Sequence, residues 1–94
     1  MDIENIRNST EEILKILESQ PKYIKNIQAI NEIGKRLFEI RMSAPNEYIL
    51  EKVGKIERNS KILFSDKKHK KYPLVEHFII EDCEVILSYL QSFH

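Results

Sequence analysis

Tryptophan is absent, cysteine occurs once, glycine twice and proline three times in 94 residues. One cysteine, Cys83, excludes an intramolecular disulfide framework. Two isolated glycines leave no Gly-rich loop to cradle a phosphate, and no Cys or His spacing matches a metal-ligand signature. Apolar runs such as Phe78-Ile79-Ile80 and Val85-Ile86-Leu87 fall far short of the roughly 20 residues that cross a bilayer, so no membrane span is expected. Fifteen basic and fifteen acidic residues cancel, which removes any global field for nucleic acid or an anionic membrane. A charge near zero also favours self-association. The first residues, Met1 to Arg7, mix acidic and apolar side chains with no basic stretch leading into an apolar run, so a secretion signal is not expected and a cytoplasmic setting is.

What is present is helical periodicity. Hydrophobic residues at 41% and charged residues at 32% suit one folded domain spanning residues 1 to 94. Pro21, Pro45 and Pro73 divide it into segments of similar length, each with an apolar stripe at steps of three and four. Helix 1 carries Ile3, Ile6, Thr10, Ile13 and Leu17, with Leu14 and Ile16 widening the stripe. Ser9-Thr10-Glu11-Glu12 reads as a capping box within that span, so helix 1 is either continuous or restarts near Thr10. Helix 2 is expected to begin directly after Pro21 and to bury Ile24, Ile27, Ile30, Ile33, Leu37 and Ile40. The turn Met42-Ser43-Ala44-Pro45-Asn46 offers Ser43 or Asn46 as the cap of helix 3, which carries Ile49, Val53, Ile56, Ser60 and Leu63.

Residues 65 to 72 have no apolar period and read as a basic loop. Helix 4 then presents Val75, Ile79, Ile86, Leu90 and Phe93. A β-hairpin over residues 74 to 90 is the alternative, since Val, Ile, Phe and Tyr favour strands, but Glu81-Asp82-Cys83 lacks the Gly or Asn of a tight hairpin turn. Short connections near positions 20 and 43 make neighbouring helices antiparallel. The fold class is therefore all-α, a small antiparallel four-helix bundle with up-down-up-down order.

Helix 4 is apolar over more of its circumference than a corner helix needs. At 100° per residue, the stripe Val75, Ile79, Ile86 and Leu90 is flanked by Leu74, Phe78, Val85 and Tyr89 on one side and by Ile80, Cys83 and Leu87 on the other. The arc covers roughly two thirds of the helix, where an apolar face only somewhat wider than about 100° suffices. Either helix 4 is the central helix, covered by the 65 to 72 loop and a bent helix 1, or a flank meets another molecule. The second reading nominates Phe78, Ile80, Asp82, Val85, Leu87 and Tyr89 as a protein interface. Asp82 falls within the arc, so it is expected to be partly buried with a Tyr hydroxyl or an Arg such as Arg36 or Arg58 as partner. His77, Glu81 and Glu84 share the polar side, but no second Glu-x-x-His unit completes a carboxylate-bridged centre, and no metal or cofactor site is assigned.

Charge is unevenly distributed. Residues 1 to 20 are net −3 and residues 73 to 94 net −4, whereas residues 21 to 64 are net +4 and residues 65 to 72 net +3. In a bundle this sets an acidic pair, helices 1 and 4, against a basic pair, helices 2 and 3. Lys67, Lys68, Lys70 and Lys71 are the candidates for anion or nucleic-acid contact, with Tyr72 beside them for stacking. Gly34 and Gly54 lie equidistant from Ala44, which predicts a close approach of helices 2 and 3 at that height. With no catalytic constellation in the pattern, the expected function is non-enzymatic: an immunity, antitoxin or regulatory protein that binds another protein, or itself as a homodimer, through helix 4. A nucleic-acid-associated protein using the basic 67 to 71 loop is the alternative.

Overall fold

Asp2 opens the first helix by accepting the Asn5 amide N–H on its carboxylate at 3.1 Å, satisfying one of the donors that a helix start leaves free. In the computed structural model, which describes residues 1–65 and 73–93, the elements in order are α1 (Ile3–Ser19), α2 (Ile27–Met42), α3 (Glu47–Leu63) and α4 (Pro73–Leu90), followed by a 3-10 turn at Gln91–Phe93. Residues 74 to 90 are helical, which removes the hairpin alternative. The basic loop lies outside the described residues, and Lys67, Lys68, Lys70 and Lys71 with it.

α1 is continuous. Ser9 and Thr10 do not cap a new helix, because the Thr10 hydroxyl donates to the Ile6 carbonyl at 2.7 Å and the Ser9 hydroxyl to a Glu39 carboxylate oxygen at 3.3 Å. Both are buried and both are bonded, Ser9 across to α2 and Thr10 within its own helix. Small hydroxyl residues here let two helices pack closely without leaving a polar group unsatisfied.

α2 starts at Ile27, six residues beyond Pro21 and not directly after it. Asn26 is its cap, accepting the Ala29 N–H at 3.1 Å. The residues between are held by α3 instead: the Tyr23 N–H donates to the Leu63 carbonyl at 2.8 Å and the Asn26 N–H to the Phe64 carbonyl at 3.0 Å. The end of α3 leaves carbonyls without intrahelical partners, and a linker that supplies two donors cannot also coil into α2. Tyr23 takes the left-handed conformation, with φ 63°, to make this crossing. Ile24 and Ile27 consequently lose their place in the core, and each is more than half exposed.

The opposite end is closed by the same device. The Asp2 N–H donates to the Ser43 carbonyl at 2.9 Å, and the Asn5 amide reaches the Ser43 hydroxyl at 2.6 Å and the Glu39 carbonyl at 3.3 Å. The start of α1 therefore covers the end of α2, and the linker after α1 covers the end of α3. Asn46 caps α3, accepting the Ile49 N–H at 3.0 Å. Its side-chain amide donates to the Tyr89 hydroxyl near the end of α4 at 2.6 Å. Near the other end, Lys22 lies 3.8 Å from Glu76 in the first turn of α4. These end contacts fix an antiparallel, up-down-up-down order. Among the described residues the neighbouring helix pairs are α1 with α2 and α4, and α3 with α2 and α4, so α1 lies diagonal to α3 and α2 to α4.

The core is a column of aliphatic side chains with one aromatic. Ile6, Ile13 and Leu17 of α1 meet Ile33, Leu37 and Ile40 of α2, Ile49, Val53, Ile56 and Leu63 of α3, and Val75, Ile79, Cys83, Ile86 and Leu90 of α4. Phe64, just past α3, is fully buried and closes one end. Burying each such side chain contributes about 1.5–3 kcal/mol relative to exposure. Gly34 and Gly54 do not mark a close approach: a Cβ at Gly34 would meet nothing within 4 Å, and one at Gly54 would meet only the Arg58 guanidinium, at 3.5 Å. α2 and α3 are joined at their ends and by Arg41 to Glu57 at 3.2 Å, not through the glycines.

Candidate protein-interaction surface

The buried residues of α4 recur at 75, 79, 83, 86 and 90, so the helix turns its core face toward Cys83 rather than Asp82. Three expectations for this helix are corrected. Cys83 is a core residue, not a flank residue, and burial, followed by the neighbouring Asp82 and Glu84 charges, pushes its thiol up to about 12. Asp82 sits at the margin of the arc, half-buried, and among the described residues no Tyr hydroxyl pairs with it, nor does Arg36 or Arg58. Arg36 lies 3.3 Å from Glu39 instead. Phe93 leaves the stripe, because the 3-10 turn that follows α4 carries it outward to solvent.

The two flanks of α4 then differ. Ile80 faces α1 in a groove of about 170 Å3 whose other walls are Leu14, Leu17, Glu18, Glu76 and Glu84. It packs against the core, and Leu87, on the same flank, is half-buried. Phe78, Asp82, Val85 and Tyr89 lie on the side of α3. Here Leu74 remains 56% exposed and Phe78 46% exposed. The bundle divides the six residues of the sequence-derived interface: Phe78, Asp82, Val85 and Tyr89 share one seam, while Ile80 and Leu87 face the other.

α3 builds the far wall of that open seam. Its successive outward positions on this side are Tyr48, Lys52, Lys55 and Asn59. Two adjoining hollows follow the seam. One of about 510 Å3 lies between Tyr48 and Glu81, Glu84, Val85, Ser88 and Tyr89. The other, about 390 Å3, lies between Lys52, Lys55 and Asn59 and the α4 residues Phe78, Glu81 and Asp82. Burial raises the Asp82 carboxyl above its ordinary value, Lys52 and Lys55 pull the other way, and Glu81 and Glu51 add to the rise. At the end of the seam, the Tyr48 and Tyr89 rings lie 4.7 Å apart between centroids, and Phe93 meets Tyr89 edge-on at 5.2 Å. The Lys52 ammonium sits 5.4 Å from the Tyr48 ring centre, within cation–π range.

Sequence reasoning did not single out Tyr48, Phe93 or Asn46 for this surface. The available signal was the Asn46 cap, since a cap fixes the helix phase and thereby aims Tyr48 at α4. His77 and Glu81 form an i,i+4 pair at 3.7 Å on the exposed side, and no group of three metal-ligating side chains exists among the described residues. No helix among the described residues is long and apolar enough to cross a membrane.

Fold and surface together define an all-α four-helix protein with an open apolar and aromatic seam. The chain matches no family model, no curated protein and no solved structure in comparisons with known proteins.

Proposed function

We propose that this chain is a non-enzymatic protein-interaction module, of the immunity, antitoxin or regulatory kind, that binds a partner protein through the α3–α4 seam. The observation that carries the reading is the solvent-open aromatic cluster of Tyr48, Tyr89 and Phe93, continued along α4 by Val85 and Phe78. Aromatic side chains bury much area at low entropic cost and are enriched at the centres of protein interfaces. The Asn46 bond holds the Tyr89 ring in place before any partner arrives, which lowers the ordering cost of association. Of the residues nominated from sequence, Phe78, Asp82, Val85 and Tyr89 belong to this surface, and Ile80 and Leu87 serve the α1 side.

A photo-crosslinking amino acid at position 78, introduced in the source cells, is expected to trap a discrete partner chain. Purified Phe78→Ser is expected to keep its melting temperature and to lose that complex, since the ring is an exposed one. Only intramolecular crosslinks from position 78, in a protein that sediments as a monomer, would refute the reading. A crosslinked dimer of this chain would replace the partner protein by a second copy.

A further inference from the structure

We propose that, until a partner protein arrives, the α3–α4 seam is closed by a second copy of the same chain, so that the partner competes with self-association for one surface. The competition rests on the seam being the partner's docking site. What carries the pairing is the arrangement of charge across the seam. Lys52 and Lys55 stand on the α3 wall, and Glu81 and Asp82 stand level with them on the α4 wall, around one hollow of about 390 Å3. The next acid along α4, Glu84, lines the adjoining hollow. One wall is basic, the other acidic, and the chain as a whole is neutral.

A surface that pairs with itself about a two-fold axis must carry both members of every contact. An axis running along the seam, parallel to the helices, lays α3 of each copy on α4 of the other at unchanged height. Lys55 of each copy then meets Glu81 of the other, twice by symmetry, with Lys52 and Asp82 close to them. The aromatic end follows the same rule: Tyr48 and Tyr89, 4.7 Å apart across the seam, meet their own counterparts because heights are kept. Leu74 and Phe78, which the bundle leaves exposed, gain the α3 wall of the other copy as a cover. An axis across the helices does the opposite. It sets α3 on α3 and α4 on α4, lysines against lysines and acids against acids, and it carries the two aromatic ends apart.

Within the single chain these charges are only weakly committed. Lys55 lies 3.4 Å from Glu51 and His77 lies 3.7 Å from Glu81, both i,i+4 pairs near the surface, and such pairs contribute little. Among the described residues neither Lys52 nor Asp82 has an oppositely charged side chain within ion-pair distance. A foreign chain can be matched to any pattern of charge. A two-fold pairing of this kind requires opposite signs at equal height on the two walls, which is the pattern present.

The test is sedimentation equilibrium of the purified full chain at concentrations up to about 1 mM, with far-UV circular dichroism of each variant as the control for folding. The chain is expected to dimerise. Lys55→Glu alone and Glu81→Lys alone are each expected to weaken the dimer about tenfold or more, since symmetry applies every reversal twice. The double variant Lys55→Glu, Glu81→Lys is expected to recover it, and so is an equal mixture of the two single variants. Phe78→Ser is expected to dissociate the dimer without unfolding the chain. A monomer at every concentration, a dimer indifferent to the single reversals, or a double variant that stays monomeric would each overturn the pairing, and the partner reading would still stand if position 78 traps a foreign chain in the source cells. A trapped complex holding that foreign chain together with two copies of this one would overturn the competition. A dimer in solution with no foreign chain trapped from position 78 would remove the partner reading, and the competition with it.

Discussion

Ala44, the residue after the Ser43 cap of α2, takes the left-handed conformation, with φ 55°, where a Cβ crowds the backbone. For an L-residue that conformation costs roughly 1–2 kcal/mol, and glycine escapes it. Pro45 comes next, and a proline pushes the residue before it toward extended backbone, which adds to the strain. Ala44→Gly should relieve this. Against the gain stands the greater freedom of glycine in the unfolded chain, about 0.4–1 kcal/mol. Ala44 is exposed, so its methyl group contributes no packing to lose. The balance is a stabilisation of about 0.5–1 kcal/mol. For a domain of this size that corresponds to a melting temperature higher by about 3–6 °C. Far-UV circular dichroism through thermal and urea unfolding measures both, and the urea m-value should stay constant because the surface exposed on unfolding does not change. Ala44→Val is the control, because a β-branched side chain fits the left-handed region worst and should destabilise. A lower midpoint for Ala44→Gly would refute the account of the turn.

Three other perturbations probe the surface and the core. Asn46→Ala removes the α3 cap and the tie to Tyr89, and should cost about 1 kcal/mol, visible as a lower urea midpoint; Asn46→Asp, which still accepts the Ile49 N–H, should cost less. The Asp82 carboxyl is raised by burial, so its folded form favours the proton: the stability it contributes is present below its ordinary value of 3.8 and is lost as pH rises through the raised one. Asp82→Asn should therefore stabilise the chain at neutral pH, with the gain shrinking in urea titrations run below pH 3.8. The Cys83 thiol, raised from 9.0 to about 12, gives stability that is complete below 9.0 and lost between 9.0 and about 12, as the unfolded thiol ionises first. Cys83→Ala should flatten the fall of the urea midpoint over that alkaline window, and the native thiol should react with a disulfide reagent at pH 8 only as fast as the bundle opens.

Much of the fold could be read from the chain because helical periodicity is a local property. Ile6, Ile13 and Leu17 on α1, Ile33, Leu37 and Ile40 on α2, and Ile49, Val53, Ile56 and Leu63 on α3 all fall where steps of three and four place them. The candidate surface was less legible, since periodicity gives the width of an apolar arc but not its absolute direction. An error of one third of a turn separates Asp82 from Cys83, and only packing against α1 and α3 sets it. Phe64 illustrates the same limit: it follows the last turn of α3, and its burial depends on how the chain ends meet.

The amino-acid sequence by itself determined four amphipathic segments, their antiparallel order and the excess of apolar side chains on the last one, because spacing, prolines and short connections act over a few residues. Tertiary structure alone decided where α2 begins, which flank of α4 stays open and that Ile27, Phe38 and Met42 face outward. Each of those outcomes depends on a partner far away in the chain. The carbonyls at the end of α3, for example, take the Tyr23 and Asn26 amides, and so decide where α2 begins.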